Sequence, residues 1–377
     1  MTQTILLAPD SFKGSLSAAD FCELAQQTIE RCDPSIEVIK RPLSDGGEGF
    51  VDAFIIAGIA ERQTRIVQDP LGRPIKADFA WQPENQTAII EMAQASGLPC
   101  LSTDERNPFL TSTYGTGQLL SAAIEMSAKK IIVGLGGSAT QDGGMGALQA
   151  LGVNCVNTLG DPIEKGANGL SELAKIEQKQ PGLAEIEWII ACDVTNPLLG
   201  EKGSTRVFAP QKGATNDNLA SLEASMTNLA TQLSAYYPHD IGSLPGGGAA
   251  GGMAASFVAI LGARLVSGFD LLSDTLQLPQ LFQTHKIDLV ITGEGAIDEQ
   301  SQYGKLPFRM AQLAQENQVP TVALCGKLNL NQDTKFPFKQ CFSIHPDASK
   351  LSLADAFSQT PRNLAITLEN GLFDWLG

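Results

Sequence analysis

Thr4-Ile-Leu-Leu-Ala-Pro-Asp-Ser-Phe-Lys-Gly-Ser15 opens the chain with an apolar run that breaks into a polar turn carrying an acid, a lysine and a glycine. Beyond it Phe21, Ala25 and Ile29 recur at i, i+4 and i+8, so residues 17–32 predict a helix with Ser15 or Ser17 as N-cap. Residues 36–43 read as a second strand and 49–57 as a second helical stretch. Strand, helix, strand is a βαβ unit, and such alternation implies a parallel sheet. The far end repeats it: 287–291, 321–324 and 341–344 are short apolar runs, with a helix expected over 307–317.

The middle differs. Residues 75–81 and 87–92 read as strands joined by a polar turn at 83–86, so alternation with helices lapses there. A helix over 116–128, a strand over 131–133 and a glycine-rich loop follow. The apolar stretch 251–269 is interrupted by Arg264 and suits a buried helix better than a membrane span. The fold expected is α/β with two domains, and a length of 377 residues fits two cores. One is a Rossmann- or flavodoxin-like parallel-sheet domain made from both chain ends, residues 1–70 plus 281–377. The other is an inserted α/β domain over 71–280, with the active site in the cleft between them.

Composition narrows the function. A net charge of −15 with no basic run argues against nucleic acid or an anionic membrane as partner, since both need clustered Lys and Arg. Seven cysteines without a C-x-x-C pair read as reduced thiols, and residues 1–10 lack the basic segment of a signal peptide, so a cytoplasmic location is expected. Glycine, 37 residues of 377, exceeds the usual share of about 7% and points to loops.

Those loops follow the expected strands. They are Asp10-Ser-Phe-Lys-Gly-Ser15, Ser44-Asp-Gly-Gly-Glu-Gly49, Gly134-Leu-Gly-Gly-Ser-Ala-Thr-Gln-Asp-Gly-Gly144, Asp193-Val-Thr-Asn196 and Thr292-Gly-Glu-Gly-Ala-Ile-Asp298. In open parallel sheets, ligands bind beyond the carboxyl ends of the strands, and glycine lets a phosphate approach backbone N–H groups. A single Gly-Gly turn or a single Asp at a helix start is ordinarily structural; repetition across these loops favours a ligand site. Asp10, Asp45, Asp142, Asp193 and Asp298, with Glu48 and Glu294, are candidate Mg²⁺ ligands or bases. Lys13 and Lys305, each beside a glycine, are candidate phosphate contacts. No G-x-x-x-x-G-K-[ST] motif is present. Gly134, Gly136 and Ala139 match a dinucleotide fingerprint weakly, because the acid it requires about twenty residues on is represented only by Asp161 in a turn. The histidines 239, 285 and 345 lack metal-ligand spacing.

The same loops resemble those of the class I glycerate kinases along nearly the whole chain. The resemblance rests on Ala8-Pro-Asp-Ser-Phe-Lys-Gly-Ser15, Ser44-Asp-Gly-Gly-Glu-Gly49, Asp69-Pro-Leu-Gly-Arg-Pro74, Gly134-Leu-Gly-Gly-Ser-Ala-Thr140, Cys192-Asp-Val-Thr-Asn-Pro197, Pro210-Gln-Lys-Gly213, Gly248-Ala-Ala-Gly-Gly252 and Thr292-Gly-Glu-Gly295. It implies ATP- and Mg²⁺-dependent phosphorylation of glycerate, with 2-phosphoglycerate favoured, on a two-domain α/β fold with the first domain split around the second. Four positions depart from the family pattern: Phe50, Gln141, Ala209, and Ala296, where Arg is expected and a phosphate or carboxylate contact is lost.

Read against this resemblance, Asp45, Asp193 and Lys13 are the expected catalytic residues, with Asp45, Asp193 and Asp298 at the metal. Asp10, Ser11, Ser44 and Arg73 are expected to hold substrate. Gly46, Gly47, Gly136, Gly137, Ser138, Gly251, Gly252, Glu294 and Lys305 are expected to hold nucleotide phosphates. The alternatives are a nicotinamide-dependent oxidoreductase using the Gly134 loop and a non-catalytic nucleotide-binding sensor. A homodimer is expected on general grounds alone.

Overall fold

Backbone pairing in the computed structural model, which describes residues 3–177, 180–299, 301, 304–329, 336–345 and 351–376, sorts the strands into two main sheets and a small hairpin. In chain order the strands are β1 (Thr4–Leu7), β2 (Glu37–Lys40), β3 (Glu61–Gln68), β4 (Pro74–Gln82), β5 (Thr87–Glu91), β6 (Lys130–Gly134) and β7 (Asn154–Val156). They continue with β8 (Lys175–Glu177), β9 (Glu187–Ala191), β10 (Arg264–Val266), β11 (Leu289–Asp298), β12 (Thr321–Asn329) and β13 (Gln340–Ser343). The chain divides into two compact units, 1–45 with 52–59 and 269–377, and 46–51 with 60–268.

The first unit holds an all-parallel sheet in the order β13-β12-β11-β1-β2. Numbered within the unit this is the flavodoxin-like order, whose switch point lies between β1 and β11. Ile5, Leu6 and Leu7 of β1 are fully buried, as a central parallel strand covered on both faces requires. The helix Ala18–Cys32 turns Phe21, Cys22, Ala25 and Ile29 inward, and the helix Leu353–Leu376 brings Leu364, Leu368, Leu372 and Trp375 to the same core. Ser17 caps the first of these, its side chain accepting from the Asp20 N–H.

One expected loop is strand instead. Residues 292–298 continue β11, and their ladder with β12 extends to Asp298 opposite Asn329. The Gly-Glu-Gly reads as a turn by composition. The ladder with β12 keeps it extended, and glycine is required at 293 because a side chain there would overlap the Leu324 carbonyl oxygen.

The second unit holds a mixed sheet, β10-β9-β6-β5-β4-β3, in which β10, β9, β6 and β5 run parallel and β4 and β3 are antiparallel additions. Its core joins Ile90, Val133 and Ile190 of the sheet to Leu119, Leu148, Met253 and Phe257 from the helices. The stretch expected as one buried helix over 251–269 is the helix Met253–Leu261, after which Gly262, at φ +69°, turns the chain into β10. Among the described residues no helix is long and apolar enough to cross a membrane.

Candidate active site

The first unit gathers charge at the carboxyl ends of β1, β2 and β11. Ladder bonds run past the strand ends, with the Asp10 N–H donating to Gly293 O at 2.8 Å and the Leu43 N–H to Pro9 O at 2.8 Å. They bring residues 10, 44–45 and 294 together at the switch point. The turn after Asp10 closes on itself, the Phe12 N–H donating to Leu16 O at 2.8 Å, and lifts Lys13 into solvent.

Lys13 Nζ lies 3.5 Å from Asp45 Oδ2, and that charge raises the Lys13 ammonium above its ordinary range. Asp10 is buried, with its Oδ1 accepting from the Ser11 N–H at 2.7 Å. Burial first and the Asp45 charge second push its carboxyl up to about 8, so at neutral pH it carries a proton. Ser11, next to it in sequence, and Ser44, which follows Leu43, are both buried. Glu294 is buried on β11 and raised by that burial, against the pull of Lys305. Lys305 Nζ sits 3.5 Å from Glu294 Oε2 and 3.7 Å from Asp298 Oδ1, so these three residues form one network. Lys305 also donates to the carbonyl of Ala296, whose exposed methyl offers no cation where Arg was expected.

In the second unit the glycine loops pack on each other. The Gly136 N–H donates to Gly46 O at 3.0 Å. A side chain at Gly134 would overlap the Gly46 carbonyl, and one at Gly136 the Gly47 backbone. A side chain at Gly251 would overlap the Thr140 carbonyl, and the Gly143 N–H donates to Gly251 O at 2.9 Å. Gly252 follows at φ +90° against Leu198. The physical reason for Gly46, Gly134, Gly136 and Gly251 is therefore backbone contact between loops. Gly137 is exposed and Ser138 is buried next to it.

Asp142, a candidate metal ligand by sequence, is a structural hub. Its oxygens accept from Thr113 N–H and Oγ1 at 2.8 Å each, from Gly144 N–H at 3.1 Å, and from Ser112 Oγ and Gly146 N–H at 3.3 Å. Asp193 is exposed and its Oδ1 accepts from the Gly268 N–H at 2.9 Å. The Arg73 guanidinium donates from Nε to Asp69 Oδ2 and from Nη1 to Glu105 Oε1, both at 2.5 Å, and from Nη2 to Cys100 O at 3.4 Å. It locks the Asp69-Pro-Leu-Gly turn.

A lysine of the Pro210-Gln-Lys-Gly213 motif, given no role in the sequence, also meets this unit's loop. Lys212 is buried, and its Nζ donates to Ser138 Oγ at 2.9 Å and to Thr140 O at 2.7 Å. The signal was present: Lys212 precedes Gly213, as Lys13 precedes Gly14.

Comparison with known proteins agrees along the chain. The model of the glycerate kinase family matches residues 5–375. A glycerate kinase of Halalkalibacterium halodurans is 39% identical over 372 residues, covering 96% of this chain and 97% of the relative. A glycerate 2-kinase of Escherichia coli K12 is 37% identical over 377 residues, covering 98% of each. A crystal structure of "putative glycerate kinase 2" from Salmonella typhimurium LT2 superposes with a TM-score of 0.78 at 36% identity, covering 99% of this chain and 100% of that one. Kinases of this kind are phosphotransferases. The chain belongs to the glycerate kinase family.

Proposed function

We propose that this enzyme transfers the γ-phosphoryl group of ATP to a hydroxyl of glycerate with Mg²⁺ assistance, giving 2-phosphoglycerate in preference to the 3-isomer. The observation that carries the reading is the cluster at the β1/β11 switch point, where a protonated Asp10, the Lys13–Asp45 pair and Glu294 converge. Glycerate is an anion, and an ionised carboxylate would repel it. A protonated Asp10 can instead donate to its carboxylate, while Lys13 supplies the compensating charge. Asp45, accepting from Lys13, is positioned to receive the hydroxyl proton. The turn at exposed Gly137 and buried Ser138 and the neighbouring loops of Gly46, Gly47, Gly251 and Gly252 are assigned to the nucleotide phosphates.

Among the described residues no group of three or more acidic, histidine or cysteine side chains could cage a metal. That donor set still fits Mg²⁺, which takes one or two carboxylates and completes its shell with water and phosphate oxygens. Asp45 is the first residue assigned to hold it, with Asp193 and Asp298 as the further candidates. The ion would neutralise charge on the phosphates during transfer. Asp298 is shared with Lys305, which lowers its availability.

A dinucleotide fold on the Gly134 loop is disfavoured because Gly134 and Gly136 are occupied by the Gly46 and Gly47 backbone. The location is taken as cytoplasmic and the working assembly as a two-fold dimer, which light scattering would check. A coupled assay tests the activity. ADP release that depends on D-glycerate supports the kinase, and NADH oxidation without it would assign the loop to nicotinamide chemistry. Asp193→Asn keeps an oxygen for the Gly268 N–H. A folded variant with kcat lowered about 100-fold supports a role in transfer, and near-normal turnover removes Asp193 from it.

A further inference from the structure

Lys212 ends the 3-10 turn Pro210–Lys212, and Gly213, at φ +97°, carries the chain away beneath the Arg106 carbonyl. The side chain is thereby driven into the protein, where it is 1% exposed. Both acceptors of its ammonium, Ser138 Oγ and Thr140 O, are neutral. Among the described residues no carboxylate lies within ion-pair distance of it. The charge that acts on it is that of Asp142, whose oxygens are already engaged by Thr113, Ser112, Gly144 and Gly146. Burial pushes the Lys212 ammonium down to about 7. In the same turn Thr140 Oγ1 and Gln141 Oε1 are buried without a hydrogen-bond partner.

A buried cation with no carboxylate in contact with it is costly, and a methionine would fill the same space without that cost. Its hydrogen bonds give a reason for lysine here, since they hold the turn at 138–140. In its protonated form Lys212 has no acceptor, so Ser138 Oγ accepts from it, and the hydroxyl proton of Ser138 is then directed away from Lys212.

We propose that Lys212 is the buried cation of an anion site at the Ser138 turn, a positioning residue that holds Ser138 Oγ so that its hydroxyl donates to a phosphoryl oxygen of the bound nucleotide. The inference rests on the reading that nucleotide phosphates bind this turn. The phosphate would bring a second negative charge to Lys212 beside that of Asp142.

The test is calorimetric binding of a non-hydrolysable ATP analogue to the wild type, Lys212→Met, Ser138→Ala and the double variant, with adenosine as control and thermal melts of each. Each single substitution should weaken the analogue about 10- to 100-fold, as loss of a hydrogen bond to a charged group does. The double variant should be no weaker than the worse single one, because the two residues act in series. Adenosine affinity should be unchanged, and each variant should remain folded by its melt. Analogue binding by Lys212→Met equal to wild type, or losses that multiply in the double variant, would overturn the inference. If Ser138→Ala weakens binding while Lys212→Met does not, the inference alone fails. If neither does, the phosphate reading of this turn fails with it.

Discussion

Among single residues, Asp10 couples stability and substrate binding to pH. Between about pH 4, where an unfolded aspartate ionises, and about 8, where the folded carboxyl does, the folded chain holds a proton that the unfolded chain has lost. Stability therefore falls as pH rises through that window and is level above it. Asp10→Asn, which cannot ionise, should be more stable than the wild type at pH 9 by roughly 1–3 kcal/mol, read from denaturant melts. The same proton serves substrate. The wild-type KM for glycerate should climb above pH 8 as Asp10 ionises, and in Asp10→Asn that rise should disappear. Arg73 gives the opposite expectation. Its donors are taken by Asp69, Glu105 and Cys100 O, so Arg73→Ala should lower the melting temperature and leave KM for glycerate within about twofold. That change is small because one partner, Glu105, is solvent-exposed. A KM raised tenfold would mean that the guanidinium leaves these carboxylates for substrate.

At the scale of elements, glycine loops do two jobs that composition cannot separate. Gly136→Ala puts a methyl into the Gly47 backbone and should destabilise the protein by about 1–3 kcal/mol or more. Gly295→Ala, whose new methyl would lie 3.6 Å from the Lys13 nitrogen, should fold normally. Equal melting temperatures for the two would contradict the packing described. Most strands of the parallel sheets were legible because each is an apolar run with helices on both sides. β3 was not legible: Glu61-Arg-Gln-Thr-Arg-Ile-Val-Gln68 has two apolar residues, and Ile66 is 73% exposed. Eight backbone pairs with β4 hold it, together with Arg62 and Thr64 on Asp78, and none of that is written in hydropathy. The extension of β11 through Gly-Glu-Gly was hidden likewise, because its glycines answer to β12 and to the Phe12 turn.

At the scale of the whole molecule, Asp10, Lys13, Asp45 and Glu294 lie together because β2, β1 and β11 are neighbours in the first unit's sheet, while Asp142 and Asp193 belong to the second unit. What could not be read was the division of labour. Asp142 looks in sequence like Asp45, yet five donors converge on it, four of them on Oδ2. Lys212 looks like Lys13, yet it is buried and Lys13 is not. These differences are set by neighbours distant in sequence. Membership of the glycerate kinase family fixes the class of reaction, and the acceptor and donor are the claims left to chemistry. Phosphorus NMR of the full-length protein with ATP, Mg²⁺ and D-glycerate tests them together. The account expects ADP and a phosphomonoester resonance of 2-phosphoglycerate to grow in step; ATP left intact, or hydrolysed to inorganic phosphate with no phosphoglycerate formed, would contradict it.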